Sequence, residues 1–192
     1  MTWLGSLINW GTEQQPILMG VVVSVLMGIF LTLPISSAAI GVALGLNGIA
    51  AGAAVAGCCA NMVGFAVASY RENQFGGLVA QGIGTSMLQM PNIVRKPIIW
   101  LPAIIASAVT GPVSSALFKM VNNSTGAGMG TAGLVGQIMG YKSMTEAGVE
   151  PWLAIVEIAI VHFILPAVIA FGVSEAMRKL KLIKNGDMKL EV

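Results

Sequence analysis

Between residues 152 and 173 the chain reads WLAIVEIAIVHFILPAVIAFGV, 22 residues with one carboxylate and no lysine or arginine. A helix that crosses the bilayer core needs about 20 mostly apolar residues. A run of this kind therefore restricts the chain to a membrane-spanning helix more tightly than any short motif would. Residues 16–33, 49–70 and 98–118 meet the same standard. Only 9% of the 192 residues are charged and 56% are hydrophobic, whereas a soluble domain carries about 25% charged residues. The fold class this implies is all-α: a polytopic membrane protein with about four full spans plus re-entrant or broken helical segments.

The remaining apolar runs are too short or too broken to cross. They are the opening segment, residues 34–48, 76–97 and 122–140, and they mix glycine with Ser, Thr, Asn or Gln. In lipid, backbone N–H and C=O groups find no partner, so irregular backbone at membrane depth must be buried by protein or line a wet cavity. Such segments suit hairpins around a pathway. Residues 76–97 carry Gln81, Thr85, Ser86, Gln89 and Asn92, the natural candidates to line it.

Charge gives the orientation. Arg71, Arg95, Lys96 and the five basic residues Arg178, Lys179, Lys181, Lys184 and Lys189 lie on one side of the spans, leaving Lys119 and Lys142 on the other. Basic loops favour the cytoplasm. The expected division is a membrane domain, residues 1–175, and a basic cytoplasmic tail, residues 176–192. The opening segment lacks the basic region of a cleavable signal peptide. Trp100 and Trp152 fall near span ends, where indole rings favour the headgroup level. The spacings Gly41–Gly45 and Gly48–Gly52 allow close helix approach and suit a compact bundle or a homo-oligomer. Cys58 and Cys59 read as small packing residues. With one histidine in the chain, no metal site, no cofactor and no catalytic constellation is expected. Nothing suggests nucleic acid.

One motif repeats. GIGTSML, from Gly82, matches GMGTAGL, from Gly128, as G-[IM]-G-T-[SA]-x-L, and a glutamine follows each, Gln89 and Gln137. One span separates the copies, so on the charge assignment they reach the membrane from opposite faces. Inverted elements of this kind bracket substrate sites in transporters. Gly84, Gly130 and Thr131 would bring backbone close to a ligand, and half-helices begun there would aim positive dipole ends at it.

Three polar residues sit inside spans, where they usually face protein or water. Asn61 reads as interhelical glue or a ligand group. Glu157 reads equally as a proton or substrate ligand and as a hydrogen-bonded carboxyl near the interface. His162, about 140° round an α-helix from Glu157 at 100° per residue, reads first as a structural hydrogen bond.

The run AGAAVAGCCANMVGFAVASYREN, then QGIGTSMLQMPNI and GAGMGTAGLVGQI, with LTLPISSAAI before them, resembles the EIIC-like permeases of the bacterial phosphotransferase system. The resemblance extends over about residues 16–173. It implies a multi-pass inner-membrane subunit that binds and moves a small polar substrate, a sugar, with separate IIA- and IIB-type proteins carrying the phosphoryl group. This chain has no soluble domain for a phospho-His or phospho-Cys. Family members have further spans ahead of the matched region, which implies a fragment or a minimal form. Two other readings stay open: a carrier or channel for a non-sugar molecule outside that system, and a membrane scaffold or sensor that transports nothing. The scaffold reading expects Gln81, Thr85 and Gln89 to be satisfied by protein.

Overall fold

The structure, a computed structural model, describes residues 2–190. It is an all-helical bundle in which the only β feature among the described residues is an isolated bridge, Gly48 to Asn122. In chain order the helices are α1 (Thr2–Gln14), α2 (Pro16–Thr32), α3 (Ser37–Leu44), α4 (Gly48–Ala68), α5 (Tyr70–Val79), α6 (Met90–Arg95), α7 (Leu101–Pro112), α8 (Ser124–Ala127), α9 (Val135–Glu146), α10 (Pro151–Ile158) and α11 (Leu165–Lys179). Among the described residues, three continuous helical stretches are long and apolar enough to cross a bilayer: Gly48–Ala68, Pro97–Leu117 and Pro151–Lys179, of 21, 21 and 29 residues. α2, at 17 residues, is shorter. The second and third of these stretches each contain a π-helical turn, Val113–Leu117 and Ala159–Ile164.

Helix α4 is the axis of the molecule. Its sequence, GIAAGAAVAGCCANMVGFAVA, is almost all small side chains, and nearly every residue is buried. Without bulky side chains, neighbouring backbones come into contact. A Cβ on Gly57 would run into the Ser24 backbone of α2, and one on Gly52 into the Met120 backbone. Gly64 lies against Ala103 of α7 and Ala170 of α11. The same contacts give the directions. α2 runs with α4, Ser24 facing Gly57 and Thr32 facing Asn61. α7 runs against it, Ser107 facing Gly57 and Ala103 facing Gly64. α11 runs with it, Ala170 at Gly64 and Arg178 at Ala68 O.

Since α2 and α4 point the same way and α2 ends beside Asn61, part-way along α4, the link between them runs back toward the start of α4. It does so through α3, whose eight residues give about 12 Å of helix at 1.5 Å each, too little to span a bilayer. Ser36 caps its start, accepting from Ala39 N at 3.2 Å, and left-handed Gly45 ends it. Asn9 of α1 then holds the turn, donating to Gly45 O at 3.0 Å. The glycine pairs do not form helix–helix faces as the spacing suggested. Gly45 and Gly48 have positive φ and end or begin helices, while Gly41 and Gly52 take the close contacts.

One end of the bundle collects the basic loops. Arg71 pairs with Glu175 at 2.8 Å, Lys96 with Asp187 at 2.6 Å and Arg178 with Glu72 at 3.0 Å. Lys119 and Lys142 lie at the other end. Between the ends, Ile17, Leu26, Val109, Leu117, Ile155 and Val168 are exposed, as lipid-facing residues are. Trp152 is exposed at the start of α10. Trp100 is half-buried instead, folded in by the 3-10 turn Pro97–Trp100, and donates from Nε1 to Asn61 Oδ1 at 2.9 Å.

Candidate functional site: two glycine hairpins on the buried helix

The first hairpin descends from the Ala68 end of α4. It comprises α5, kinked at Gln74, a π turn Ala80–Gly84, a 3-10 turn Ser86–Gln89 and α6. The chain reverses at extended Thr85, whose Oγ1 accepts from Met87 N at 3.1 Å. The second hairpin rises from the opposite end. Asn123 caps α8, accepting from Gly126 N at 3.0 Å; a turn, a 3-10 segment Ala132–Leu134 and α9 follow. Its reversal uses left-handed backbone at Gly130, Gly133 and Leu134. Gly130 has no room for a side chain, because a Cβ would press on Cys58. Ser37 of α3 ties the turn down, donating to Gly128 O at 2.6 Å.

The two hairpins touch. Thr131 Oγ1 donates to Gly82 O at 2.5 Å and also approaches Met62 Sδ at 3.4 Å. Gly82 rests on Ala66, one turn along α4, and Gly130 on Cys58, one turn back. The repeated motifs therefore arrive from opposite ends of α4 and close on each other at Met62.

The candidate residues fall into four groups around this seam. Gln81, Gln89 and Asn92 form a relay of buried amides. Gln81 Nε2 donates to Ser69 Oγ at 2.8 Å, Gln89 Nε2 to Gln81 Oε1 at 2.9 Å and Asn92 Nδ2 to Gln89 Oε1 at 2.9 Å. The relay ends on the tail, at Met188 O (3.0 Å from Gln89) and Lys189 O (3.0 Å from Asn92). Ser86 joins a second network, its Oγ 2.9 Å from Thr32 Oγ1, which donates to Asn61 Oδ1 at 3.3 Å. Asn61 Nδ2 donates to Ser107 Oγ at 2.9 Å and Gly57 O at 3.2 Å. Asn61 is thus fully satisfied by α2, α4 and α7. Gly84 is exposed and Thr85 half-buried at the tip, and a Cβ on Gly84 would meet nothing. Packing against protein therefore does not require glycine there.

The last group lies between α9, α4 and the π turn of the final span. Gln137 Nε2 is 3.2 Å from both Cys59 Sγ and His162 Nδ1. Gln137 Oε1, His162 Nε2 and Glu157 Oε2 are buried with no hydrogen-bond partner among the described residues. The π turn Ala159–Ile164 separates Glu157 from His162, so the α-helical phase angle between them does not apply. Cys58 and Cys59 are free and fully buried, as packing residues are.

Sequence reasoning missed Thr32, Ser69, Ser107 and Trp100. A signal existed for the hydroxyls, since Ser and Thr inside apolar spans hydrogen-bond across helices. Nothing in the sequence foretold that the tail would end the amide relay.

Neither the curated proteins nor the solved structures compared with the chain include a significant match. The family described as "Phosphotransferase system, EIIC" matches residues 1–190, a longer stretch than the motifs alone suggested. With three apolar spans among the described residues, two hairpins meeting against α4 and a family match over nearly its whole length, the chain belongs to the EIIC family of the phosphotransferase system and is a membrane permease subunit of that system.

Proposed function

We propose that this subunit binds a small polar substrate, a sugar, at the seam between the two hairpins. It passes the sugar across a bacterial inner membrane, and separate IIA- and IIB-type phosphocarrier proteins deliver the phosphoryl group to it. The observation that carries the reading is the Thr131–Gly82 contact, where elements from opposite ends of the bundle close on each other. Opening one hairpin at a time around a fixed point is how inverted elements give alternating access. The contact is a single neutral hydrogen bond, worth about 0.5–1.5 kcal/mol net, so thermal motion and ligand contacts suffice to exchange it. Sugar hydroxyls both donate and accept. Gln137 Oε1 and Glu157 Oε2 have unfilled acceptor capacity, and the glycine-rich turns add backbone groups. A homo-oligomer is part of the proposal, as is a cytoplasmic location for the tail.

The test is uptake. The protein is reconstituted in liposomes and offered labelled sugars and organic acids, with and without a phosphoenolpyruvate-driven carrier mixture. The reading expects saturable uptake of a sugar, stimulated by the carriers. Uptake of an organic acid alone, indifferent to carriers, would favour a carrier outside the phosphotransferase system. One observation supports the scaffold or sensor reading: Gln81, Gln89 and Asn92 are satisfied by protein, not by a cavity. That reading expects no uptake of any probe.

A further inference from the structure

The segment that follows α11 does not trail into solvent. It folds back over the first hairpin and is held mainly through its backbone. Met188 N donates to Glu72 Oε2 at 2.7 Å. Asn73 clasps two peptide groups, its Nδ2 donating to Met188 O and its Oδ1 accepting from Leu190 N, both at 2.8 Å. Gln89 and Asn92 hold the carbonyls of Met188 and Lys189 from the other side. Side chains fix the register. Met188 is fully buried and Ile183 nearly so, both packed in the cluster around Phe65, Ile93 and Ile99. Lys96 holds Asp187. Glu72 is itself held by Arg178, with side chains 5% and 8% exposed. Such a pair is costly to form without good geometry and costly to break by halves.

Beside this strap lies an open pocket of about 410 Å³, bounded by Glu72, Asn73, Gly77, Ala80, Lys189 and Leu190. Gly77 O in its lining accepts from Gln81 Nε2 of the amide relay at 3.1 Å. The amides that a polar substrate would meet on leaving the first hairpin are thus occupied by the tail's own peptide groups.

We propose that residues 183–190 form a displaceable strap that closes the first hairpin at its charged end, with the side chains of Glu72, Asn73, Gln89 and Asn92 acting as a slot for the peptide groups of residues 188–190. The assignment of that end as the mouth of a substrate path rests on the function proposed above. In the strapped state Gln89 and Asn92 cannot turn toward a ligand. Release of Met188 from its apolar socket and of two peptide groups from Asn73 frees both amides and joins the 410 Å³ pocket to the relay. Recognition is mostly of main chain, so the socket for Met188 and the pairing of Asp187 are the positions where sequence matters.

The experiment uses the full chain in proteoliposomes and two variants that loosen the strap, Asn73→Ala and Met188→Ser. Amide hydrogen exchange reports docking, and a Ser69→Cys reporter behind Gln81 reports closure by its rate of reaction with a small maleimide. Background comes from the chain without the reporter, whose two cysteines are fully buried. Expected are slow exchange at Met188 and Leu190 in the parent, at least tenfold faster exchange in both variants, and at least tenfold faster labelling of Ser69→Cys in each. Fast exchange at 188–190 in the parent overturns the strap. Faster exchange with unchanged labelling overturns its role as a closure. Uptake is measured on the parent chain without the reporter, because Ser69 accepts from Gln81 in the relay. Labelling that behaves as expected without uptake of any probe leaves the closure standing and overturns the transport reading instead.

Discussion

At the scale of single residues, the glycines of this chain divide by what surrounds them. Gly57 is where α2 lies directly on α4, and an added methyl would meet Ser24 backbone. Backbone cannot rotate away as a side chain can. Gly57→Ala is therefore expected to force the helices apart at a cost of about 1–3 kcal/mol, read as a lower melting temperature in detergent. Gly84 is the contrary case. It has open space and negative φ, so Gly84→Val should insert and melt as the parent does. If uptake nevertheless falls, the residue serves the passage of ligand; if neither changes, its place in the repeated motif is incidental. Gly130→Val, at a left-handed position against Cys58, should fail to fold before its transport can be asked about. Gln89 lies between these cases. Gln89→Ala would leave Gln81 Oε1 and one Nδ2 hydrogen of Asn92 without partners, while Met188 O keeps Asn73 Nδ2, at about 1–3 kcal/mol for each group left buried and unsatisfied. It is expected to lower stability and substrate binding together.

At the scale of elements, the hairpins are the features that a soluble protein would not tolerate. Each is held at its reversal by a few polar contacts and otherwise by packing on α4. Thr131→Val keeps the volume near Met62 but removes the donor to Gly82 O. It should leave the melting temperature within a few degrees and increase exchange at the amides of residues 82–85. No change in exchange would mean that the hairpins are held apart from this contact. The strap offers a pH test. Burial opposes ionisation of Asp187, but hydrogen bonds from Lys96 and from the Lys184 amide, with the charges of both lysines, outweigh it and hold its carboxyl below the ordinary value of 3.8. A group whose pKa is lowered by folding stabilises the fold above its unfolded value and loses that effect as pH falls through the folded one. Asp187 should therefore keep the strap docked at neutral pH and release its share only below about pH 4, seen as faster exchange at 186–190.

The elements also show what the sequence could carry. The spans and the hairpins were legible, because about 20 apolar residues and a glycine-broken polar run each have one stable setting in lipid. The meeting of the repeated motifs was legible from one span lying between them. What could not be read was how polar side chains would pair. Gln81, Gln89 and Asn92 suggest a wet path as well as a closed relay, and the difference lies in the carbonyls of Met188 and Lys189, a hundred residues away in sequence. The π turn in the last span was equally hidden, since AIVHFI has no residue type that requires it.

At the scale of the whole molecule, the proposed orientation rests on which loops share an end. The ion pairs Arg71–Glu175 and Lys96–Asp187 put the connection between α4 and α7 and the segment after α11 together. Eight basic residues belong to that end, and Lys119 and Lys142 to the other. The bias in short loops sets orientation, and acidic residues count for little, so the neutralising partners Glu175 and Asp187 do not weaken the argument. Lys184 and Lys142 are both exposed, one at each end, and the two native cysteines are fully buried and should stay silent. With a membrane-impermeant maleimide, Lys184→Cys should label in inverted vesicles and not in intact spheroplasts, while Lys142→Cys should do the opposite. A reversed pattern would turn the molecule over and place the strap outside the cell. Labelling of both from the same side would mean that the span Pro151–Lys179 does not cross. The parallel run of α4 and α11 against α7 would then describe helices lying in one leaflet rather than a path through the membrane.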